Sequence, residues 1–208
     1  MSFEIPFSFE AMHWKDVPTV MTIEQRSFTL PWSANTYRHE IMDNANAYYF
    51  VLRYLGEPPG RVNSWLSRLT QREPASQIVG YGGFWFIVDE AHISTIAIDL
   101  GWRGRGLGEY LLASLIGRAL ELKAASVTLE VREMNLVAQN LYRKYGFVIT
   151  GKRPHYYQDN NENAFLMTVD GVDQEAYRQT FKQQTTALRE RLARTVDQLS
   201  VSDSRLRR

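Results

Sequence analysis

A glycine-rich turn between a β-strand and a long helix restricts the architecture of this chain more than any other part of its sequence. Residues 96–108 read IAIDLGWRGRGLG, and apolar residues then repeat every three or four positions over 105–123. Glycines let backbone N–H groups approach a ligand closely, and a helix start carries about half a positive charge. Arg103 and Arg105 add two full charges. The segment therefore predicts an anion site suited to a pyrophosphate.

The spacing of the glycines separates this turn from two common nucleotide-binding turns. A P-loop needs a Lys followed by Ser or Thr, and a dinucleotide-binding turn needs the spacing G-x-G-x-x-G. Gly104, Gly106 and Gly108 meet neither requirement. From the residues alone, two interpretations stay open: an anion-binding turn of another kind, and an ordinary helix start without a ligand.

Strands and helices are predicted in mixed order along the chain. Strands are expected over 7–13, 47–55, 77–88, 91–98, 125–132, 147–157 and 162–169. Helices are expected after the caps Asp16 and Ser33, and over 105–123, 135–145 and 172–199. Because the strands do not alternate strictly with the helices, the fold class is α+β or mixed α/β.

Two segments stand apart from this pattern and set the expected domain organisation. Residues 56–76 are too long for an ordinary connection and are interpreted as an insertion. The amphipathic helix after residue 172 is expected to pack on its own domain or on a second subunit in a dimer, and the last residues are expected to be frayed. The sequence thus predicts a domain over 1–171 and a helical extension over 172–208.

Composition excludes several classes of function. The chain has 24 Lys and Arg against 23 Asp and Glu, which argues against a general nucleic-acid or membrane-surface binder. It has no cysteine, so disulfides, thiolate metal sites and a cysteine nucleophile are excluded. Its four histidines, at 13, 39, 92 and 155, lack ligand spacing, and no metal is expected. Without a signal peptide or an apolar run of membrane length, a cytoplasmic protein is expected.

Several motifs resemble one enzyme family. Arg103, Gly106 and Gly108 match the R/Q-x-x-G-x-G/A signature of the GNAT superfamily of N-acetyltransferases. Four further segments resemble its RimI branch, whose members acetylate the N-terminus of a small-subunit ribosomal protein: IEQRSFTLPWS (23–33), DEAHISTIAI (89–98), LEVREMN (129–135) and LYRKYGF (141–147). The resemblance covers nearly the whole chain except 56–76 and the C-terminal helix. It implies a central, mixed, mostly antiparallel sheet flanked by helices, with strands splayed at the cofactor site.

The resemblance implies that acetyl-CoA is the co-substrate and that no metal takes part. The pantetheine chain would pair with the backbone of a splayed strand, and the pyrophosphate would lie on the backbone N–H groups of the turn. The implied cofactor residues are Ile96, Ala97, Ile98, Arg103, Gly104, Arg105, Gly106, Leu107, Gly108, Glu109 and Asn135. Asn135 also suits the N-cap of its helix, and the two roles are compatible.

Two residues are implied as catalytic. In the family, a strand glutamate accepts a proton and a helix tyrosine protonates the leaving thiolate; Glu130 and Tyr142 stand at these positions. The residues alone leave other interpretations open: Glu130 as a surface glutamate paired with Arg132, and Tyr142 as a core aromatic. His92, on a neighbouring strand, is interpreted as a structural histidine or as a supporting group.

The acceptor site is implied at Leu30, Pro31 and Trp32 and at Tyr156 and Tyr157, which match positions lining the family's peptide groove. The two tyrosines are equally consistent with ordinary strand residues that point to opposite faces, in which case at most one of them need touch substrate. The expected function is direct acetyl transfer to a protein N-terminus, favouring an N-terminal alanine of a ribosomal protein. The alternatives are a GNAT enzyme acting on a lysine side chain or small amine, and a non-catalytic acyl-CoA-binding or partner-binding module. No membrane and no direct nucleic-acid partner are expected.

Overall fold

The computed structural model describes residues 5–56 and 76–205, with side chains up to residue 194. Its strands are β1 (Phe7–Ala11), β2 (Ala47–Tyr54), β3 (Gln77–Ile87), β4 (Glu90–Ile98), β5 (Ser126–Arg132), β6 (Val148–Tyr157) and β7 (Glu162–Asp170). They form one sheet in the order β1-β2-β3-β4-β5-β7-β6, in which only β4 and β5 are parallel. The predicted mixed, mostly antiparallel sheet is confirmed.

Five α-helices accompany the sheet in the described residues: α1 (Val17–Ser27), α2 (Ala34–Met42), α3 (Leu107–Glu121), α4 (Leu136–Lys144) and α5 (Glu175–Arg205). Ser33 caps α2 as predicted, because its hydroxyl accepts a hydrogen bond from the Thr36 N–H at 3.1 Å. Asp16 precedes α1 but does not cap it; its carboxylate instead accepts from the His13 N–H and pairs with Arg53. α5 runs past the predicted end at Leu199.

The helices cover both faces of the sheet. Along β2, Phe50 and Leu52 lie in an apolar cluster with α3, α4 and α5, whereas Tyr49 and Val51 lie in a second cluster with α1 and α2. Alternate strand residues point to opposite faces, so one strand contributes to both clusters. Burial of these apolar side chains holds the three layers together.

The C-terminal helix packs on its own domain. Leu188 and Leu192 of α5 are almost fully buried in the cluster that contains α3. The sequence left open whether this helix packs on its own domain or on a second subunit, and the structure shows it packed on its own domain. Most of the expected insertion, residues 57–75, lies outside the described residues. In the part of the chain that the structure describes, no helix combines the length and apolar character needed to cross a membrane.

β4 and β5 separate half-way along their length. They pair from Glu90 opposite Ser126 to Ile93 opposite Leu129, and the pairing ends there. At the same level the β3–β4 ladder shifts register, which leaves Ser94 as an extra residue on β4. A bulge of this kind bends a strand and increases its twist. The bend opens a wedge between β4 and β5, as the family resemblance implied.

Candidate active site

The wedge leads into a cavity of about 580 Å³, here called the cleft. It is bounded by β4, β5, the segment between α1 and α2, the start of α4 and the end of β6. The predicted site residues that line it are Leu30, Trp32, Ile96, Glu130, Asn135, Tyr142, Tyr156 and Tyr157. Arg132, which was considered only as an ion-pair partner of Glu130, also lines it. A second cavity of about 690 Å³, between β1, α3 and α5, contains none of the predicted site residues.

Besides the turn residues 103–109, three predicted residues do not present side chains to the cleft. Pro31 is exposed, and Ala97 and Ile98 are buried in the two apolar clusters on either face of the sheet. For the strand residues this agrees with a role through the backbone, since among the described residues β4 has no partner strand on the side of β5 beyond Ile93. Pro31 has no such backbone role: its neighbours Leu30 and Trp32 line the cleft, and Pro31 itself does not.

Glu130 lies in the cleft and is held by an imidazole and a guanidinium. Its Oε2 is 2.6 Å from Nε2 of His92, and its Oε1 is 2.9 Å from a terminal nitrogen of Arg153; its side chain is 9% exposed. Burial by itself would raise the pKa of Glu130, but the His92 hydrogen bond and the nearby charges outweigh it and hold the pKa below its ordinary value. The expected alternative, a surface pair with Arg132, is wrong.

Strand register brings His92 and Glu130 together. His92 pairs with Thr128 across β4 and β5, and Glu130 is two residues further along the same strand. Residues two apart share a face of the sheet, so the two side chains are diagonal neighbours. The sequence placed Glu130 on the polar row of its strand, but its contact with His92 depends on a register that no local pattern encodes.

Arg132 joins three elements at the rim of the cleft instead of pairing with Glu130. Its guanidinium is 2.8 Å from Asp159 and 3.1 Å from Glu162, and it lies 3.9 Å from the ring centroid of Tyr157. Asp159 also accepts a hydrogen bond from the Thr29 hydroxyl in the segment between α1 and α2. Arg132 therefore fixes the end of β6 against β5 and the α1–α2 segment.

Tyr142 lies on α4 facing the cleft and is 6% exposed. Burial raises the pKa of its hydroxyl well above the ordinary value, and Tyr157 nearby raises it further. Within the described residues, the hydroxyl forms no hydrogen bond with another protein group. A protonated donor of this kind is free to bond a group that enters the cleft.

Glu24 is a buried residue of the site that sequence reasoning missed. Its carboxylate lines the cleft, accepts the Trp32 N–H at 2.8 Å and the Tyr37 hydroxyl at 2.8 Å, and also accepts from the Tyr81 hydroxyl. Burial raises the pKa of Glu24 despite these bonds. The available signal was a single carboxylate on the otherwise apolar face of α1, between Val20 and Phe28.

Tyr156 and Tyr157 both line the cleft, although alternation along a regular strand would point them to opposite faces. The β6–β7 ladder is irregular between Arg153 and Tyr157, and His155 has a positive φ of 53°. This irregularity places the two rings 5.2 Å apart in an edge-on contact. The alternative in which only one of the two rings faces the cleft therefore does not hold, because both rings line it.

The glycine-rich turn presents an uninterrupted row of backbone donors. Gly104 and Gly106 have φ values of 75° and 80°, which favour glycine, and Gly106 is the N-cap of α3. None of the N–H groups from Gly104 through Leu107 and Gly108 to Glu109 donates to another group in the described residues. Arg103 instead braces the turn, donating to the Ile98 carbonyl at 2.9 Å and the Ser27 hydroxyl at 3.0 Å.

The remaining charged and polar cofactor candidates also have defined contacts. Arg105 stacks on Trp102, with its guanidinium carbon 4.9 Å from the ring centroid. Asn135 caps α4 as predicted, accepting the Ala138 N–H at 3.1 Å. Its amide nitrogen remains available at the edge of the cleft. Across residues 5–56 and 76–194, no three side chains of His, Asp or Glu form a group that could hold a metal ion.

A family model described as the acetyltransferase (GNAT) family matches residues 17–147. The chain belongs to the GNAT family. Members of this family use acetyl-CoA, so the chain is an acetyl-CoA-dependent acetyltransferase. The matched region contains β2 to β5 and α1 to α4, and therefore the wedge, the turn and Glu130.

Known GNAT proteins resemble the chain over most of their own length. A Bacillus subtilis (strain 168) protein provisionally named [ribosomal protein bS18]-alanine N-acetyltransferase is 36% identical over 158 residues, covering 76% of this chain and 91% of that protein. The crystal structure of the ribosomal-protein-S18-alanine N-acetyltransferase from Escherichia coli is 27% identical with a TM-score of 0.63, covering 79% and 94%. Ard1 from Thermoplasma volcanium is also 27% identical, with a TM-score of 0.62 over 80% and 98%.

Proposed function

We propose that the chain transfers the acetyl group of acetyl-CoA to the N-terminal amine of a protein, with an N-terminal alanine of a ribosomal protein as the favoured acceptor. Two relatives that it resembles over most of their length carry that activity in their names. The observation that carries the proposal is the ionised Glu130, bonded to His92 at the opening between β4 and β5. A ribosomal acceptor agrees with the expected cytoplasmic location.

Acetyl-CoA fits the wedge and the turn that leads from it. The open edge of β4 from Ile96 to Ile98 would pair with the amides of pantetheine, as the family resemblance implies. The free N–H groups from Gly104 to Glu109 would hold the pyrophosphate at the positive end of α3. Asn135 would donate its amide to the same ligand, and this arrangement directs the thioester toward Glu130 and Tyr142.

The acceptor amine must lose a proton before it attacks. An N-terminal ammonium has a pKa near 8, so about a tenth is neutral at pH 7, whereas a lysine with a pKa near 10.4 is neutral in fewer than about one molecule in a thousand. Glu130 has a lowered pKa and is a weak base. It therefore suits the α-amine better than the lysine side chain. The ionised Glu130 attracts the ammonium, and its carboxylate accepts the proton.

The departing thiolate is stabilised from α4. Tyr142 keeps its proton because its pKa lies far above the value of about 8.5 of an ordinary thiol. Its role is therefore a hydrogen bond to the developing thiolate. The amine nitrogen releases a second proton as the amide forms, and this proton balances the one that the thiolate takes up.

The acceptor peptide would enter between the α1–α2 segment and the end of β6. Leu30 and Trp32 provide one wall, and Tyr156 and Tyr157 provide the other. The two hydroxyls would bond the backbone of an extended peptide, which positions its first amine near Glu130. In this proposal residues 1–171 form the catalytic domain and 172–208 its helical extension.

A peptide with an N-terminal alanine and one internal lysine tests the proposal. With acetyl-CoA and the full chain, tandem mass spectrometry is expected to find the acetyl group on the α-nitrogen, with matching release of coenzyme A. The same peptide with a blocked N-terminus is the control and should remain unmodified. Acetylation of the lysine, or faster turnover with a polyamine, would support the small-amine alternative. Acetyl-CoA binding without transfer to any amine would support the binding module.

A further inference from the structure

The two carboxylate oxygens of Glu130 have partners that differ in how firmly they are held. Oε2 lies 2.6 Å from Nε2 of His92, whose side chain is 23% exposed, and Oε1 lies 2.9 Å from a terminal nitrogen of Arg153, whose side chain is 52% exposed. His92 lowers the pKa of Glu130 through a hydrogen bond as well as through charge, whereas Arg153 lowers it through charge alone. A half-exposed cation that leaves its partner is hydrated again at once, so Arg153 is the partner that exchanges at less cost.

Arg153 reaches Glu130 from the far side of β7. Glu130 lies on β5 and Arg153 on the edge strand β6, and both strands pair with β7. The β7 residue opposite Arg153 is Ala164, whose single methyl leaves room for a long side chain to cross the strand. Regular pairing of β6 ends at Arg153, because Pro154 has no N–H and His155 has a positive φ of 53°. Arg153 therefore approaches the carboxylate from the last regular position of an edge strand.

The ring of Tyr156 gives Arg153 a second favourable contact. The guanidinium carbon of Arg153 lies 5.8 Å from the centroid of this ring, within the range of cation–π attraction. Tyr156 is partly exposed and lines the cleft. A guanidinium that moves away from Glu130 can keep the ring contact and gain water, so its departure leaves no buried cation without a partner.

We propose that Arg153 occupies, in the free enzyme, the place at Oε1 of Glu130 that the ammonium of the acceptor takes when it binds. This role rests on the proposed function, because it requires a cationic amine to enter the cleft, but it does not depend on which amine. Both cations donate N–H groups to a carboxylate, so the exchange keeps the buried Glu130 paired before and after binding. Arg153 is thus a positioning residue that holds Glu130 between turnovers and competes with the acceptor for one oxygen.

Steady-state kinetics of Arg153→Gln with an alanine-starting peptide at saturating acetyl-CoA test this role. Loss of the competing cation should lower the peptide KM roughly two- to fivefold. The kcat should stay within about twofold of the parent, because Arg153 has already left Oε1 in the reacting complex. Arg153→Lys keeps a cation at this place and should keep the parental KM.

Arg38→Gln is the matched control. It removes an exposed guanidinium that lies 5.9 Å from the ring centroid of Trp14, outside the cleft, and its kinetics should equal those of the parent. The same fall in KM in Arg38→Gln as in Arg153→Gln would reduce the effect to net charge and overturn the proposal.

A peptide whose N-terminal amine is replaced by hydrogen isolates the ammonium. This peptide is a competitive inhibitor without a charge to displace Arg153, so its inhibition constant should be the same for the parent and Arg153→Gln. An equal gain in affinity for this peptide would overturn the proposal, as would a parental or raised KM in Arg153→Gln. A fall in kcat that Arg153→Lys restores would also overturn it, because the cation would then be needed in the reacting complex.

The parent enzyme separates this proposal from the proposed function. Absence of transfer to any amine by the parent would contradict the proposed function, and this role of Arg153 would fall with it. Normal transfer by the parent, with unchanged constants in Arg153→Gln, would reject the role of Arg153 alone.

Discussion

The Nε2 atom of His92 lies 2.6 Å from Oε2 of Glu130, one residue past the point where β4 and β5 cease to pair. The contact joins the two strands across the mouth of the wedge. It also connects an imidazole to the carboxylate proposed as the proton acceptor, so His92 lowers the pKa of that carboxylate.

His92→Gln tests this coupling through the pH profile. The His92 hydrogen bond and charge lower the pKa of Glu130, so the carboxylate persists to lower pH than an ordinary glutamate. Removing the imidazole raises that pKa, and the acid limb of kcat/KM is expected to move to higher pH, toward or above the ordinary value of about 4.3. His39→Gln, in an exposed pair on α2, should leave the profile unchanged. Superimposable profiles for parent and His92→Gln would contradict the coupling.

Tyr142→Phe separates a catalytic hydroxyl from a core aromatic. The hydroxyl bonds no other described group, so its removal should change the free energy of unfolding by less than about 1 kcal/mol while kcat falls at least about tenfold. Tyr177→Phe is expected to give the opposite pattern, since its hydroxyl donates to the Tyr145 carbonyl at 3.1 Å. Denaturant unfolding and steady-state turnover measure the two effects. Full turnover in Tyr142→Phe would remove Tyr142 from the mechanism.

Glu24→Gln should weaken peptide binding more than coenzyme binding. Glu24 accepts hydrogen bonds from the Trp32 backbone N–H and from two tyrosine hydroxyls. In Glu24→Gln, the amide NH₂ group faces hydroxyls that donated to the carboxylate, which destabilises the fold by about 1–3 kcal/mol. Displacement of Trp32 is expected to raise the peptide KM, with the dissociation constant of acetyl-CoA unchanged. An equal loss for both substrates would indicate a general structural role.

The raised pKa of Glu24 also predicts a pH dependence of stability. The folded state holds this proton more tightly than the unfolded state, so the free energy of unfolding falls as pH rises from the ordinary glutamate value through the raised one. Glu24→Gln has no such proton and should lack this part of the slope. Unfolding curves between about pH 4 and 7 measure it, and identical slopes would contradict burial of an ionisable Glu24.

Local patterns predicted the positions of the elements but not the contacts between distant residues. The turn with its positive-φ Gly106, the cap at Asn135 and the polar row that carries Glu130 depend on neighbours in sequence, and the structure has all three. The partners of Glu130 could not be predicted, because His92 arrives through strand register and Arg153 reaches across β7. The paired orientation of Tyr156 and Tyr157 depends on an irregular ladder for which the sequence gives no signal.

The most direct measurement is the turnover of Glu130→Gln on an alanine-starting peptide at saturating acetyl-CoA. The matched control is Glu133→Gln, a carboxylate three residues further along the chain that pairs with Lys152 away from the cleft. General-base catalysis contributes typically about 100- to 10,000-fold, so kcat of Glu130→Gln should fall by at least about 100-fold while acetyl-CoA still binds. Glu133→Gln should stay within about twofold of the parent. Parental turnover in Glu130→Gln, or equal losses in both variants, would contradict the proposed site.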